Sequence, residues 1–416
     1  MKSSELPEQE WRPKMAIRER SGAIAEARLA ARLGLLAVVA LCVLFSFQPA
    51  LAQPYPRVWQ QVFPPVAPPA IAAEQAYDEA RQVTVSYGGA SAAEDALGDT
   101  WLWDGQAWTQ QDVTGPGPRR AASMAYDSQR KVCVLFGGMD DNQDTWEWDG
   151  TKWSLRATNG PPPTLWGAMA YDRASGRTVL FGGVLCNLLC GPNPAHTWEW
   201  DGIQWTNVAQ SGPQRRQAHS LAYDEVRKVT VLFGGWINNT TFLDDTWLWD
   251  GSAWTQAMAA GPNARNSASL AWDSHRGTLV LFGGEAIGVG SVSDTWEWDG
   301  AAWTQRLSGT PSPRSAGGLT YDRVRRQFVL HGGFNGRGLL QETWLLRFIE
   351  TWVDYAYSGF QIGSFDLPFQ TLAGGVNSAP IGSDIMIKPG TGFESITIGK
   401  PLTLRAPLGP VTIQGK

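Results

Sequence analysis

One ten-residue stretch constrains this chain more than any other: Asp144-Thr145-Trp146-Glu147-Trp148-Asp149-Gly150-Thr151-Lys152-Trp153. Variants of it begin at Asp99, His196, Asp245 and Asp294, and a worn copy begins at Glu342. Repetition on this scale restricts a chain to stacked or circular architectures, because one unit cannot bury its apolar face alone. Each Trp-rich stretch follows an apolar run ending in a Gly pair: Gly88-Gly89, Gly137-Gly138, Gly182-Gly183, Gly234-Gly235, Gly283-Gly284 and Gly332-Gly333. A small-aromatic-Asp triplet precedes each run and ends at Asp78, Asp127, Asp172, Asp224, Asp273 or Asp322, always ten residues before the first Gly. The length variation falls between the Gly pair and the Trp stretch, which marks that connection as a surface loop.

Each period of roughly 50 residues therefore holds four strands. In copy two they are expected at 121–126, 132–136, 145–148 and 152–156. The first is rich in small residues, as an innermost strand at a crowded axis requires. The second is apolar and β-branched, the pattern of a strand buried on both faces. Asp149-Gly150 turns the third strand into the fourth. An Arg three residues after the triplet Asp in five copies (Arg81, Arg130, Arg227, Arg276, Arg325) brackets the first hairpin turn.

The last Trp of each copy precedes the next triplet Asp by 19 residues, and Trp59 stands 19 before Asp78 with no complete repeat ahead of it. The last copy has no Asp-Gly turn after Phe348 and so lacks a fourth strand. The segment 57–61 is expected to supply it, since an unpaired sheet edge invites aggregation. The expected fold is all-β: a six-bladed propeller closed by an N-terminal strand, plus a small C-terminal β segment. Its blades lie near 65–111, 112–156, 157–208, 209–257, 258–306 and 307–348 plus 57–61. The pattern, Gly-Gly after an apolar strand and then Trp at fixed spacing six times over, resembles the kelch-repeat propellers, including those related to galactose oxidase. The wording Thr-Trp-Glu-Trp-Asp-Gly is similar to their bacterial extracellular branch.

Residues 33–47 form an apolar run, and Ala50-Leu51-Ala52 offers a small-x-small cleavage motif. Together they read as a signal peptide over 1–52, cleaved after Ala52, with Met1 or Met15 as the start. The run is short for a membrane-spanning helix, so the mature chain is expected to be secreted, periplasmic or at the cell surface, with no stable membrane insertion. The chain carries a net charge of −5, and −7 once residues 1–52 are set aside. That balance gives no support for a nucleic-acid partner. Cys133 reads as a buried core residue. Cys186 and Cys190, in the longest variable loop, are expected to form a local disulfide in an exported protein, with a metal site including His196 as the sharper alternative. Residues 349–416 change character, with short alternating strands that resemble the opening of pectate-lyase-like right-handed parallel β-helices.

For chemistry the chain offers little. Its four histidines, His196, His219, His275 and His331, fall in different blades and none pairs at ligand spacing. The resemblance to galactose oxidase would imply a copper radical site of two His, two Tyr and a Tyr-bonded Cys, which these positions do not supply. The acidic run 140–144 lacks the spacing of an EF-hand loop and reads as a solvated loop. No cofactor and no metal are expected. Most of the 22 Trp belong to fixed strand positions and read as packing. Trp166, Trp236 and Phe242 stand outside the repeat and are the better ligand-stacking candidates. Arg119, Arg216, Arg265 and Arg314 all lie eight residues before a triplet Asp, with Ala70 and Thr164 in the other two copies. They would ring one mouth and bind an anion or a carboxylated sugar, or else hydrogen-bond neighbouring loops. The expected function is a non-catalytic binding module for a protein or glycan, acting through loops 139–144, 184–197, 236–245, 285–294 and 334–342. The alternatives are a carbohydrate-active lyase or hydrolase and a copper radical oxidase.

Overall fold

The first hairpin of each repeat shows how the triplet Asp builds structure. Asp78 Oδ1 accepts the backbone N–H of Arg81 at 3.1 Å and Oδ2 pairs with its guanidinium at 2.7 Å. The residue four after the Asp then takes positive φ and returns its N–H to the Asp carbonyl, as Gln82, Lys131, Gly176, Lys228 and Gly277 all do. The computed structural model describes residues 57–353, apart from 69–70, 94, 140–141, 186–194, 238–239, 308–309 and 349, and parts of 356–414. The leader, Cys186, Cys190 and the first two residues of the acidic run, 140 and 141, lie outside the described residues.

Among the described residues are six four-stranded antiparallel sheets. Sheet one is Glu74–Asp78, Val83–Tyr87, Thr100–Trp103 and Trp108–Gln111. Sheet two is Ser123–Asp127, Val132–Phe136, Thr145–Trp148 and Trp153–Ala157. Sheet three is Ala168–Asp172, Arg177–Phe181, Thr197–Trp200 and Trp205–Ala209. Sheet four is Ser220–Asp224, Val229–Phe233, Thr246–Trp249 and Trp254–Ala257. Sheet five is Ser269–Asp273, Thr278–Phe282, Thr295–Trp298 and Trp303–Leu307. In sheet six, Gly318–Asp322, Gln327–His331 and Thr343–Phe348 are followed at the edge by Arg57–Val62. There Trp59 lies opposite Leu346, and Gln61 opposite Trp344. The first strands of sheets one to six neighbour one another in numerical order, and the first strand of sheet six also neighbours that of sheet one.

The sheets pack face to face through one repeated contact. The last Trp of each sheet gives its indole N–H to the Thr that opens the third strand of the preceding sheet: Trp153 to Thr100 at 2.9 Å, Trp205 to Thr145 at 2.7 Å, Trp254 to Thr197 at 2.7 Å and Trp303 to Thr246 at 2.9 Å. Trp59 bonds Thr295 of sheet five at 3.2 Å, and Trp108 of sheet one bonds Thr343 of sheet six at 3.0 Å. These indoles are buried against the apolar second strands, where aromatic area contributes most. Cys133 is one of the buried core residues, and burial pushes its thiol pKa up.

The first strand begins two residues later than the expected 121, at Ser123. The reason is Ala121, whose φ of 56° is left-handed and excludes it from a strand. Farther along, Glu350–Val353 runs parallel to Asp384–Ile387, which runs parallel to Thr403–Arg405. Gly390–Phe393 runs parallel to Val411–Gln414, and a short helix spans Leu372–Ser378.

Candidate functional site

Ala121 belongs to a circle. Ala72, Ala121, Trp166, Ala218, Ser267 and Ala316 all have φ between 50° and 59°. Each sits two residues before a first strand. Their backbones hydrogen-bond head to tail: Ala121 N–H to Ala72 O, Trp166 to Ala121, Ala218 to Trp166, Ser267 to Ala218, Ala316 to Ser267, and Ala72 back to Ala316. The six bonds measure 2.7–3.5 Å and rim one end of the channel that the first strands line. The segments leading into the strands also pair with the start of each variable loop, as Ile71 does with Ala90, Leu165 with Val184, and Ser315 with Phe334. Rim and variable loops therefore share a face.

Five rim residues are Ala or Ser; the sixth is Trp166. A bulky side chain at positive φ costs about 1–3 kcal/mol of local strain, so Trp166 departs from a rule its five counterparts obey. Its half-buried indole borders both the channel and a side pocket of about 330 Å³ lined by Ile71, Ala90, Arg120, Met139 and Leu165. The pocket is mainly apolar, and the Arg120 guanidinium donates towards Met139 Sδ within it. Behind the rim the channel holds two cavities of about 180 Å³ each, which share Gln75, Met124, Met169, Leu221 and Leu319 as a waist. The rim-side cavity contains Glu74, whose carboxyl burial pushes up to about 8. It also contains His219, which burial and then the nearby Arg216 charge lower to about 3, so it is neutral. At the far end, Glu79, Arg173, Glu225 and Arg323 alternate in charge across the channel. Arg323 bonds Glu79 at 2.8 Å and Glu225 at 2.9 Å; Arg173 bonds Glu225 at 2.9 Å and also Glu79.

The four arginines expected around the mouth are placed elsewhere, and that expectation is corrected. Arg119, Arg216, Arg265 and Arg314 are only 1–3 % exposed. Each guanidinium is held by the carbonyl of the first Gly of its own repeat and by the acid that opens the Trp stretch. Arg216 bonds Gly234 O at 3.0 Å and Asp245 Oδ2 at 2.8 Å; Arg265 bonds Gly283 O at 2.9 Å and Asp294 at 2.6 Å. Arg119 takes Asp144 at 2.9 Å and Arg314 takes Glu342 at 2.6 Å. The same acids accept the next Trp indole, as Asp294 does from Trp296 at 2.7 Å. A guanidinium so enclosed has no face to offer a ligand. Asp144, of the acidic run, is thereby committed to Arg119 rather than to solvent.

Trp236 and Phe242 pair across a small hairpin and stack edge-on at 5.8 Å, and neither is among the residues lining the side pocket or the channel cavities. His331 is structural, bonded to Thr343 Oγ1 at 2.9 Å and Pro68 O at 3.1 Å. Glu74 was missed by sequence reading, although the signal was present: its counterparts in the other repeats are Ser123, Ala168, Ser220, Ser269 and Gly318.

The described residues thus make an all-β protein of propeller-like construction, with a channel whose one rim carries a single large aromatic. A solved structure titled "Structure of YjhT" is similar to it, with a TM-score of 0.54 at 15% sequence identity, covering 68% of this chain and 95% of that one. At that identity the likeness shows the fold alone. No family model and no curated protein matches the sequence.

Proposed function

We propose that this chain is an exported, non-catalytic binding module: a six-bladed kelch-type propeller that takes a glycan or protein ligand on the face carrying Trp166. Closure by the segment Arg57–Val62 is supported by its pairing with Thr343–Phe348 and by the Trp59–Thr295 bond, which repeats the contact made by the other sheets. Export through a leader cleaved after Ala52 follows from the apolar run and the small-x-small motif. The parallel pairings after residue 349 support a tail that opens as a β-helix.

The observation that carries the binding reading is Trp166 itself. A strained, half-exposed indole beside an apolar pocket, where five equivalent positions hold Ala or Ser, suits stacking on the flat face of a sugar ring or on an apolar side chain. The alternative of a carbohydrate-active enzyme draws on Glu74, a carboxyl kept protonated near neutrality. Glycoside hydrolysis ordinarily needs a second carboxylate about 5–10 Å away. Among the described residues lining that cavity Glu74 is the one carboxyl, which favours the binding reading. A glycan-array screen of the mature chain and of its Trp166→Ala variant tests the binding reading. A sugar ligand bound by the wild type and lost by the variant supports it; identical array profiles would rule out a role for Trp166.

A further inference from the structure

Glu74 opens the innermost strand of sheet one and borders the rim-side cavity. Glu74 is half-buried and burial pushes its carboxyl up, and among the described residues no hydrogen bond or ion pair to that carboxyl is found. Beside it Gln75 Oε1 is buried and lacks a donor. The neighbouring charges are all accounted for. His219, the other titratable residue lining the cavity, is neutral. Tyr87, opposite Glu74 in the sheet, gives its hydroxyl proton to Gly117 O at 2.8 Å. The flanking strands Ser123–Asp127 and Gly318–Asp322 carry their acids at the far end, where Arg130 holds Asp127 at 2.7 Å and Arg325 holds Asp322 at 2.8 Å.

A lone carboxyl, an open acceptor and an indole on the rim together have the chemistry that receives a cation. The cavity of about 180 Å³ far exceeds the roughly 10–15 Å³ that one water requires. A calcium-type site would need about 6–8 oxygen ligands, which one carboxylate does not approach. An organic ammonium needs a counter-charge and an aromatic face, and both are present. We propose that the channel between the rim and the waist at Met124 and Met169 is a binding site for a small organic ammonium ion, with Glu74 as its counter-charge and Trp166 as its aromatic wall.

The site does not rest on the glycan or protein reading, and the two fail separately: Glu74→Gln leaves any array ligand bound, whereas Trp166→Ala does not. The test is isothermal titration of the mature chain with tetramethylammonium chloride at pH 6 and pH 9 at constant ionic strength. The probe's charge is permanent, so only the protein titrates. With the Glu74 carboxyl at about 8, its ionised fraction rises from about one in a hundred to about nine in ten, so affinity is expected to rise about a hundredfold. Glu74→Gln is expected to abolish binding at both pH values while keeping the wild-type circular dichroism. No binding at either pH, equal affinity at the two, or retained binding in a folded Glu74→Gln variant would each overturn the proposal. Should that variant not fold, the wild-type pH ratio decides alone.

Discussion

The buried arginines hold the lead-in segments to the Trp strands. Removing Arg265 leaves Asp294, which is partly buried, without its cation, and frees the carbonyl of Gly283. Arg265→Ala is expected to cost about 3 kcal/mol, the lower end for a broken buried pair because Asp294 keeps some contact with water. Urea unfolding would measure it. The partners also set a pH dependence. Burial tends to raise Asp144, Asp245, Asp294 and Glu342, but the paired guanidinium and the Trp indole outweigh it, and all four lie below their ordinary values. A depressed folded-state pKa gives stability that is present above the unfolded value, near 4, and is lost as pH falls through the folded value. The stability these four acids contribute should therefore hold down to about pH 5 and be lost below about 4, so Asp294→Asn should make the acid-side fall in melting temperature shallower than in the wild type. The pairing was legible in the repeat alignment. The acid lies 25, 29, 29 and 28 residues after Arg119, Arg216, Arg265 and Arg314. In copy three both positions change together, to Thr164 and His196. Reading the arginines one at a time placed their charge in solvent; reading them with their acids would have placed it inside.

At the scale of strands and turns, the constant spacings became contacts. Arg81 reaches the Asp149 carbonyl of the next sheet's Asp-Gly turn, and Arg227 reaches that of Asp299. Sheet three has Ser175 in place of the Arg, and correspondingly, among the described residues, nothing lies within 4 Å of where a side chain on Gly251 would begin in the turn of sheet four. Sheet six lacks the turn, and Arg276 of sheet five bonds Glu297 of its own sheet instead, at 2.5 Å. The spacing of 19 that tied Trp59 to Asp78 likewise corresponds to a real bond. Trp59→Ala removes that bond and the packing on Phe282, whose ring lies 5.1 Å away. It should cost about 3–5 kcal/mol, as Trp303→Ala should in the analogous place, and deleting 57–64 should depress the melting temperature further. A silent Trp59→Ala beside a costly Trp303→Ala would detach the N-terminal strand from the ring. What spacing could not reveal was the start of the first strand. Left-handed backbone is usually signalled by Gly, and five of the six rim positions hold Ala or Ser, so the circle of hydrogen bonds had no local signature.

Across the whole molecule, the channel is asymmetric. One rim is backbone with a single indole, and the other end is crossed by Glu79, Arg173, Glu225 and Arg323 from sheets one, three, four and six. The residue after each triplet Asp reads Glu, Ser, Arg, Glu, Ser, Arg around the repeats, so this alternation was open to inspection in the sequence. Its meaning depends on the circular order that brings residues 79 and 323 together. Because the four side chains are 26–32 % exposed, the ion pairs are partly screened and their worth is modest. Glu225→Gln leaves two guanidinium groups with one carboxylate between them. It should lower stability by about 1 kcal/mol at low ionic strength. Added salt screens attraction in the wild type and residual Arg–Arg repulsion in the variant, so the two melting curves should converge as sodium chloride rises towards 1 M, where the Debye length is about 3 Å. A salt-independent gap would instead locate the loss in packing, and no gap at any salt concentration would mean that the quartet contributes nothing to holding the far end of the channel together.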